Sequence, residues 1–148
     1  TSGVAPGHVF MLYVSHLEKS IAFYHGVLGF ELIHHNLHIA LFSSGRTHHE
    51  LLLIEVGGSP RELDRPSPGL YHIGFKIGDS TEELHAAYRE LKEKGVTIVG
   101  ATDHHVTHSL YVLDPDNNEL ELYIDVSDEW KTNPEAIMRA AKRLHLPQ

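Results

Sequence analysis

The chain has 148 residues, 41% of them hydrophobic and 22% charged, and a formal net charge of −8. These values fit one soluble globular domain with a real core, and they exclude a basic surface for nucleic acid. There is no cysteine, which excludes disulfides, thiolate metal sites and cysteine nucleophiles, and no apolar run is long enough to span a bilayer.

The first residues, Thr1 to Gly7, lack the charged start and apolar core of a signal peptide, so a cytoplasmic location is expected. Residues 8–15 are rich in β-branched and aromatic types and predict a strand. Leu17 to Leu28 is apolar at helical spacing and is closed by Gly29, which predicts a helix. Strands are expected over 30–35, 38–43 and 48–56, the last two joined by a turn over Ser43 to Arg46. Residues 57–68 contain three prolines and read as a loop. A strand over 70–77 and a helix over 80–94 follow, the helix opened by a capping box of Ser80 and Glu83 and ended by Gly95. Further strands are expected over 96–100, 106–113 and 119–125, the last two joined by the turn formers Asp114 to Asn118. The tail from Ser127 holds an expected last helix from Pro134 to Arg143.

The two halves repeat. His8 opens the first and His72 the second, and Ala22 and Tyr24 stand at the same offsets from His8 as Ala86 and Tyr88 from His72. The chain therefore reads as a single domain over 1–148, with module one over about 7–57, a linker over about 58–68, module two over about 69–126 and a tail helix within about 127–148. Histidine is abundant, at 14 residues, so position within the strands must select among them. Side chains alternate across a strand. His8, Phe10 and Leu12 are expected to share one face against Val9, Met11 and Tyr13. His72, Gly74 and Lys76 oppose Ile73, Phe75 and Ile77, and Glu119, Glu121 and Tyr123 oppose Leu120, Leu122 and Ile124. The faces with His8, His72 and Glu121 would line a cup, and the opposite faces would pack on helices. Two imidazoles and one carboxylate form a facial triad that leaves positions on a metal such as Fe(II) for substrate and oxygen. The competing assignment makes the two histidines strand-edge residues and Glu121 an exposed partner for a lysine.

Three stretches carry a resemblance to the vicinal oxygen chelate superfamily, which includes glyoxalases, bleomycin-resistance proteins and type I extradiol dioxygenases. They are Gly7-His8-Val9 with Ser20 to Phe30, Gly69 to Phe75 with His72, and Tyr111 to Tyr123 with Glu121. They span about residues 7–125. The resemblance implies an α+β fold of two βαβββ modules whose sheets curl into a cup around one divalent metal. Within the superfamily the chain looks most like catechol extradiol dioxygenases. Asp103 to Tyr111 is similar to the stretch that holds their histidine near the metal site and their active-site tyrosine, which implies roles for His104 and Tyr111. His48-His49-Glu50-Leu51 resembles their double-histidine strand, which implies that His49 moves protons. His105 stands where a glycine is usual, Asn118 replaces a usual glycine or its neighbour, and the chain carries one double module where most such enzymes carry two.

Glyoxalase-like members use four ligands, and Glu50 is the candidate for a fourth. Aligning Leu53 to Val56 with Tyr123 to Val126 sets Leu51 opposite Glu121, which would turn His49 inward and Glu50 outward. A one-residue shift reverses this. The first register is preferred here and implies three ligands, His8, His72 and Glu121. The resemblance then implies a dioxygenase, dependent on Fe(II) or else Mn(II) or another divalent metal, that cleaves a catechol-like ring with O2 in aromatic catabolism. His49, His104 and Tyr111 are its expected catalytic residues. Open alternatives are a glyoxalase- or epimerase-like isomerase with Glu50 as ligand, and a non-catalytic protein that binds an aromatic drug. The expected partners are a small aromatic molecule and O2, with no nucleic acid and no membrane, and pairing into a homodimer is expected as in relatives.

Overall fold

A computed structural model of the chain describes residues 7–63 and 66–148. Residues 1–6, on which the signal-peptide reading rests, and residues 64–65 of the expected linker lie outside the described residues. The chain divides into two compact units, Thr1–Arg61 and Glu62–Gln148.

The first unit runs β1 (Phe10–Val14), α1 (Leu17–Ile21), β2 (Glu31–His35), β3 (Ile39–Ser43) and β4 (Leu51–Glu55). Its sheet has the order β1-β4-β3-β2, with β1 parallel to β4 and the other pairs antiparallel. The helix expected from Leu17 to Leu28 changes pitch on the way. Beyond α1 the chain continues over Ala22–Val27 as a wider π-helical turn, in which the Leu28 N–H bonds the Phe23 carbonyl at 3.0 Å. Phe23 and Tyr24 are buried there and meet edge to face at 5.1 Å. The core beneath the helix also takes Val14, Leu17, Phe42, Leu51 and Leu53.

The second unit repeats the plan with β5 (His72–Gly78), α2 (Thr81–Glu93), β6 (Ile98–Asp103), β7 (Thr107–Leu113) and β8 (Glu119–Asp125), and adds β9 (Lys142–Arg143). The order is β5-β8-β7-β6-β9, with β5 parallel to β8. Both α2 ends follow local chemistry. The Ser80 side chain accepts from the Glu83 N–H while the Glu83 carboxylate accepts from the Ser80 N–H. At the other end Gly95, with φ 70°, lets the Val96 N–H reach back to Leu91 and its own N–H to Lys92. α2, whose Leu84 and Leu91 are buried, packs on β5, β7 and β8, where Leu110, Val112, Leu120, Leu122 and Ile124 are buried too. Burial of each such leucine is worth about 1.5–3 kcal/mol relative to exposure. Two βαβββ modules thus stand in the chain, which is α+β. Among the described residues no helix is long and apolar enough to cross a membrane.

Two expectations need correction. The tail does not form a helix over 134–143. It makes two 3-10 turns, Glu129–Lys131 and Pro134–Met138, and then an extended Arg139 that leads to β9. A lone ten-residue helix is marginal in water, and here contacts of Arg139 and the pairing of β9 draw the backbone out. In the β7–β8 turn the residue with left-handed backbone is Asn117, at φ 62°. Asn118 closes the turn, its N–H and side-chain amide both donating to Asp114.

Secondly, the faces of the first sheet are reversed. Phe10 and Leu12 pair with the fully buried Leu51 and Leu53, whereas Met11 and Tyr13 are 64% and 73% exposed. In the second sheet it is Ile73, Leu120, Leu122 and Ile124 that are buried. The cause is a bulge in β5 between Lys76 and Gly78, which the first sheet lacks between β1 and β4. The helix caps His16 and Ser80 lie equally far along the chain from His8 and His72, so the bulge absorbs one residue and slips the phase. On the sheets, Val9 occupies the place of His72, and Leu52 that of Glu121. The register that set Leu51 opposite Glu121 is overturned, because Leu51 belongs to the buried face.

Candidate active site

Pleating of the second sheet sends Glu119, Glu121 and Tyr123 to the face away from α2, beside His72 of β5 and Ser109 and Tyr111 of β7. Glu121 is the hub. Its Oε2 lies 3.0 Å from His72 Nε2. Its Oε1 accepts from the Ser109 hydroxyl at 2.6 Å and the Tyr111 hydroxyl at 3.2 Å. Since Tyr111 gives its proton to Glu121, its oxygen accepts from His104 Nε2, at 2.7 Å. Burial first, and then the Glu121 charge, push the Tyr111 hydroxyl above its ordinary value, so it remains a donor at neutral pH. On the other side of the imidazole, Glu119 Oε2 lies 3.3 Å from His72 Nδ1. The Glu119 charge, with a smaller contribution from burial, likewise raises the Tyr71 hydroxyl.

His72, His104, Tyr111 and Glu121 open onto a cavity of about 530 Å³, whose walls also include Val106, Trp130 and Ile137. That volume lies in the usual range for a small-molecule site. The donor set suits a divalent metal. Adjacent donors on an octahedral ion, each about 2.1 Å from it, lie about 3 Å apart, and 3.0 Å is the separation of His72 Nε2 and Glu121 Oε2. A carboxylate against the far nitrogen is the usual support of a metal-binding histidine, and Glu119 holds that position. Among the described residues of the second unit, no third His, Asp or Glu joins the pair.

The structure thus brings together His72, Glu121, His104 and Tyr111 of the residues expected from sequence. His8, His49 and Glu50 belong to the first unit. His8 is exposed and stands just before β1, so the pleat does not fix where its side chain points. His49 and Glu50 likewise precede β4. His48 and His49 meet through their Nδ1 atoms at 2.6 Å, and His49 Nε2 is buried without a hydrogen-bond partner. Glu50 is buried, and its carboxylate is held by the Ser44 hydroxyl, the Ser44 N–H at 3.1 Å and Arg46 at 3.1 Å. Burial acts to raise the Glu50 carboxyl, but those hydrogen bonds outweigh it and hold it below the ordinary value. Sequence reading missed Glu119, Ser109 and Trp130. The first shares the alternation of Glu121 and could have been found; Ser109 carries no signal of its own.

Residues 6–122 match the family described as the Glyoxalase/Bleomycin resistance protein/Dioxygenase superfamily. The chain is 37% identical over 116 residues to a catechol-2,3-dioxygenase of Bacillus subtilis (strain 168), an alignment that covers 77% of this chain and 39% of that protein. It is 32% identical over 117 residues to biphenyl-2,3-diol 1,2-dioxygenase 3 of Rhodococcus globerulus, covering 78% of this chain and 61% of that one. The chain thus spans less than two thirds of the length of either relative. Among solved structures, a glyoxalase/dioxygenase from Nostoc punctiforme shares the fold with a TM-score of 0.66 at 21% identity, covering 86% of this chain and 99% of that one.

Proposed function

Because the chain belongs to the Glyoxalase/Bleomycin resistance protein/Dioxygenase superfamily, we propose that it is a metal-dependent, extradiol-type dioxygenase that opens the ring of a catechol-like compound with O2. The observation that carries this reading is the network centred on Glu121. One oxygen of the carboxylate is anchored by two hydroxyls, and the other is left beside His72 at 3.0 Å, facing a cavity. His72 and Glu121 would hold the metal, with His8 of the first module as third ligand. Glu50 is left out of the proposed set, because its carboxylate accepts from Ser44 and Arg46.

Fe(II) is the proposed metal, and it supplies the electron route between ring and O2 that ring cleavage needs. The other steps belong to the protein. The Tyr111 hydroxyl and His104 Nε2, which pair with Glu121 and with each other in this structure, would turn to donate hydrogen bonds toward oxygen atoms of the substrate at the Glu121 end of the cavity once it binds. His49 takes the proton released by the diol and returns it, as a neutral imidazole can near pH 7. Val106, Trp130 and Ile137 limit water around the ring.

The test is anaerobic purification, loading with Fe(II), and a screen of substituted catechols with and without O2. O2-dependent loss of the catechol with a yellow ring-opened product is expected. A metal-loaded protein that consumes neither O2 nor any catechol overturns the reading.

A further inference from the structure

The loop between β3 and β4 holds two neighbouring imidazoles against each other. On one side the Ser43 hydroxyl donates to the Thr47 carbonyl at 2.9 Å and accepts from the Gly45 N–H at 2.9 Å. On the other the Glu50 N–H bonds the Phe42 carbonyl at 2.8 Å, and the Glu50 carboxylate accepts from Ser44 and Arg46. His48 and His49 stand between these two anchored residues, Thr47 and Glu50. Their rings lie 4.4 Å apart at an interplanar angle of 54°, and their Nδ1 atoms approach to 2.6 Å. The charged groups next to them in the loop, Arg46 and Glu50, pair with each other. His48 is exposed, whereas Nε2 of His49 is buried without a hydrogen-bond partner.

Two ring nitrogens this close share one proton, so one Nδ1 carries it and the other offers a lone pair. A neutral imidazole has a single N–H, and the choice at Nδ1 therefore decides the state of Nε2. With His48 as donor, His49 would hold its proton on Nε2 and could take no second one there without first becoming charged. With His49 as donor, its Nε2 is a bare lone pair, the state in which a base waits for a proton. Nδ1 of His49 is already engaged, so Nε2 is the one nitrogen left for a reacting group.

We infer that His48 is a positioning residue for His49: its Nδ1 accepts from Nδ1–H of His49, which leaves Nε2 of His49 as the free base, and its exposed ring carries the displaced proton to water. The inference rests on the ring-cleavage reading, in which His49 moves a proton, and adds the route that this proton follows. The protons balance at each stage. Nε2 of His49 takes one from the diol, and the Nδ1 proton of His49 passes across 2.6 Å to Nδ1 of His48. His48, exposed and already protonated on Nε2, releases that proton to water. A diol oxygen is left deprotonated, one proton is in solvent, and both imidazoles are neutral. His49 now holds on Nε2 the proton it returns, and the path run backward resets the pair.

Nitrogen NMR of the full chain with isotope-labelled histidine tests the pairing, because an N–H···N bond couples the two nitrogens it joins. Coupling between the Nδ1 atoms of His48 and His49, and a lone-pair shift for Nε2 of His49, are expected. His48→Phe should abolish the coupling and move the His49 proton to Nε2. His48→Asn, whose side-chain oxygen still accepts from Nδ1–H, should keep the proton on Nδ1 but cannot pass it on. With the iron-loaded chain and catechol, both variants should lower kcat by about tenfold or more, short of the 10²–10⁴-fold or so that loss of the base brings, with KM held within about threefold. No coupling in the unaltered chain, or a proton on Nε2 of His49, overturns the inference, as does unchanged kcat in His48→Asn. If the coupling and the lone-pair shift are found but no catechol is consumed with Fe(II) and O2, the pairing stands and the ring-cleavage reading falls. If catechol is cleaved and the coupling is absent, ring cleavage stands and the role of His48 falls.

Discussion

Glu119 sets its carboxylate 3.3 Å from Nδ1 of His72, on the side of the ring away from Glu121. The two atoms are buried and neither makes a hydrogen bond. A proton on Nδ1, drawn toward Glu119, would leave Nε2 as a lone-pair donor facing Glu121. Glu119→Gln is therefore expected to weaken metal affinity about 10–100-fold, the usual effect of removing such a support. Anaerobic competition against a chelator measures it; unchanged affinity would reduce the Glu119 contact to a passive one.

His72→Ala should lose stoichiometric metal while keeping its far-UV circular dichroism, since the ring lies at the cavity and outside the core. The same measurement on His8→Ala decides the third ligand. Full metal content in His8→Ala would remove His8 from the set and send the search to another donor.

Glu50→Gln should leave metal content unchanged and act on stability instead. It weakens charge-assisted hydrogen bonds from Ser44 and Arg46 in a buried setting, with an expected cost of about 1–3 kcal/mol. The pH dependence follows from the lowered carboxyl. Its charge stabilises the fold above the ordinary value of 4.5, and that contribution is lost as pH falls through the lower folded value. Urea titrations from neutral to acid pH should show this loss in the original chain and lack it in Glu50→Gln. Loss of metal in Glu50→Gln would restore the four-ligand, isomerase-like assignment.

His49→Phe keeps a ring of similar bulk and removes both nitrogens. Turnover should fall by about 10²–10⁴-fold, with metal content intact and one limb of the pH–rate profile gone. Turnover within threefold of the original would move proton transfer to His104.

The repeat was legible because it rests on short-range signals. Apolar periodicity, the Ser80 and Glu83 capping box and Gly95 each act within a few residues, and the strands fall close to where they were expected. The alternation of β8 likewise placed Glu121 correctly, with its neighbours Leu120 and Leu122 buried. The faces of β1 and β4 could not be read, because a single inserted residue in β5 changes every assignment by comparison, and a bulge leaves no composition signal. The likeness of Leu53 to Val56 with Tyr123 to Val126 misled for that reason: Glu55 takes the Leu17 N–H at 2.7 Å, while Asp125 pairs with Lys76 at 2.8 Å. The tail misled differently. Its helical pattern was real but weak, and the bonds from Arg139 and His105 to Glu129 outweigh it.

The short return of β9 has a consequence for handling the chain. Without it β6, six residues long, would be the edge of the second sheet, with its outward-pointing amides and carbonyls open to another molecule. β9 covers the Thr102 and Asp103 end of that row with two exposed cationic residues, Lys142 and Arg143. Positive charge on so brief a rim discourages a neighbouring strand from docking. A version shortened before Lys142 should keep its site residues yet gain a tendency to self-associate as its concentration rises, detectable by light scattering. The last residues of the chain thus act partly as a guard on its solubility.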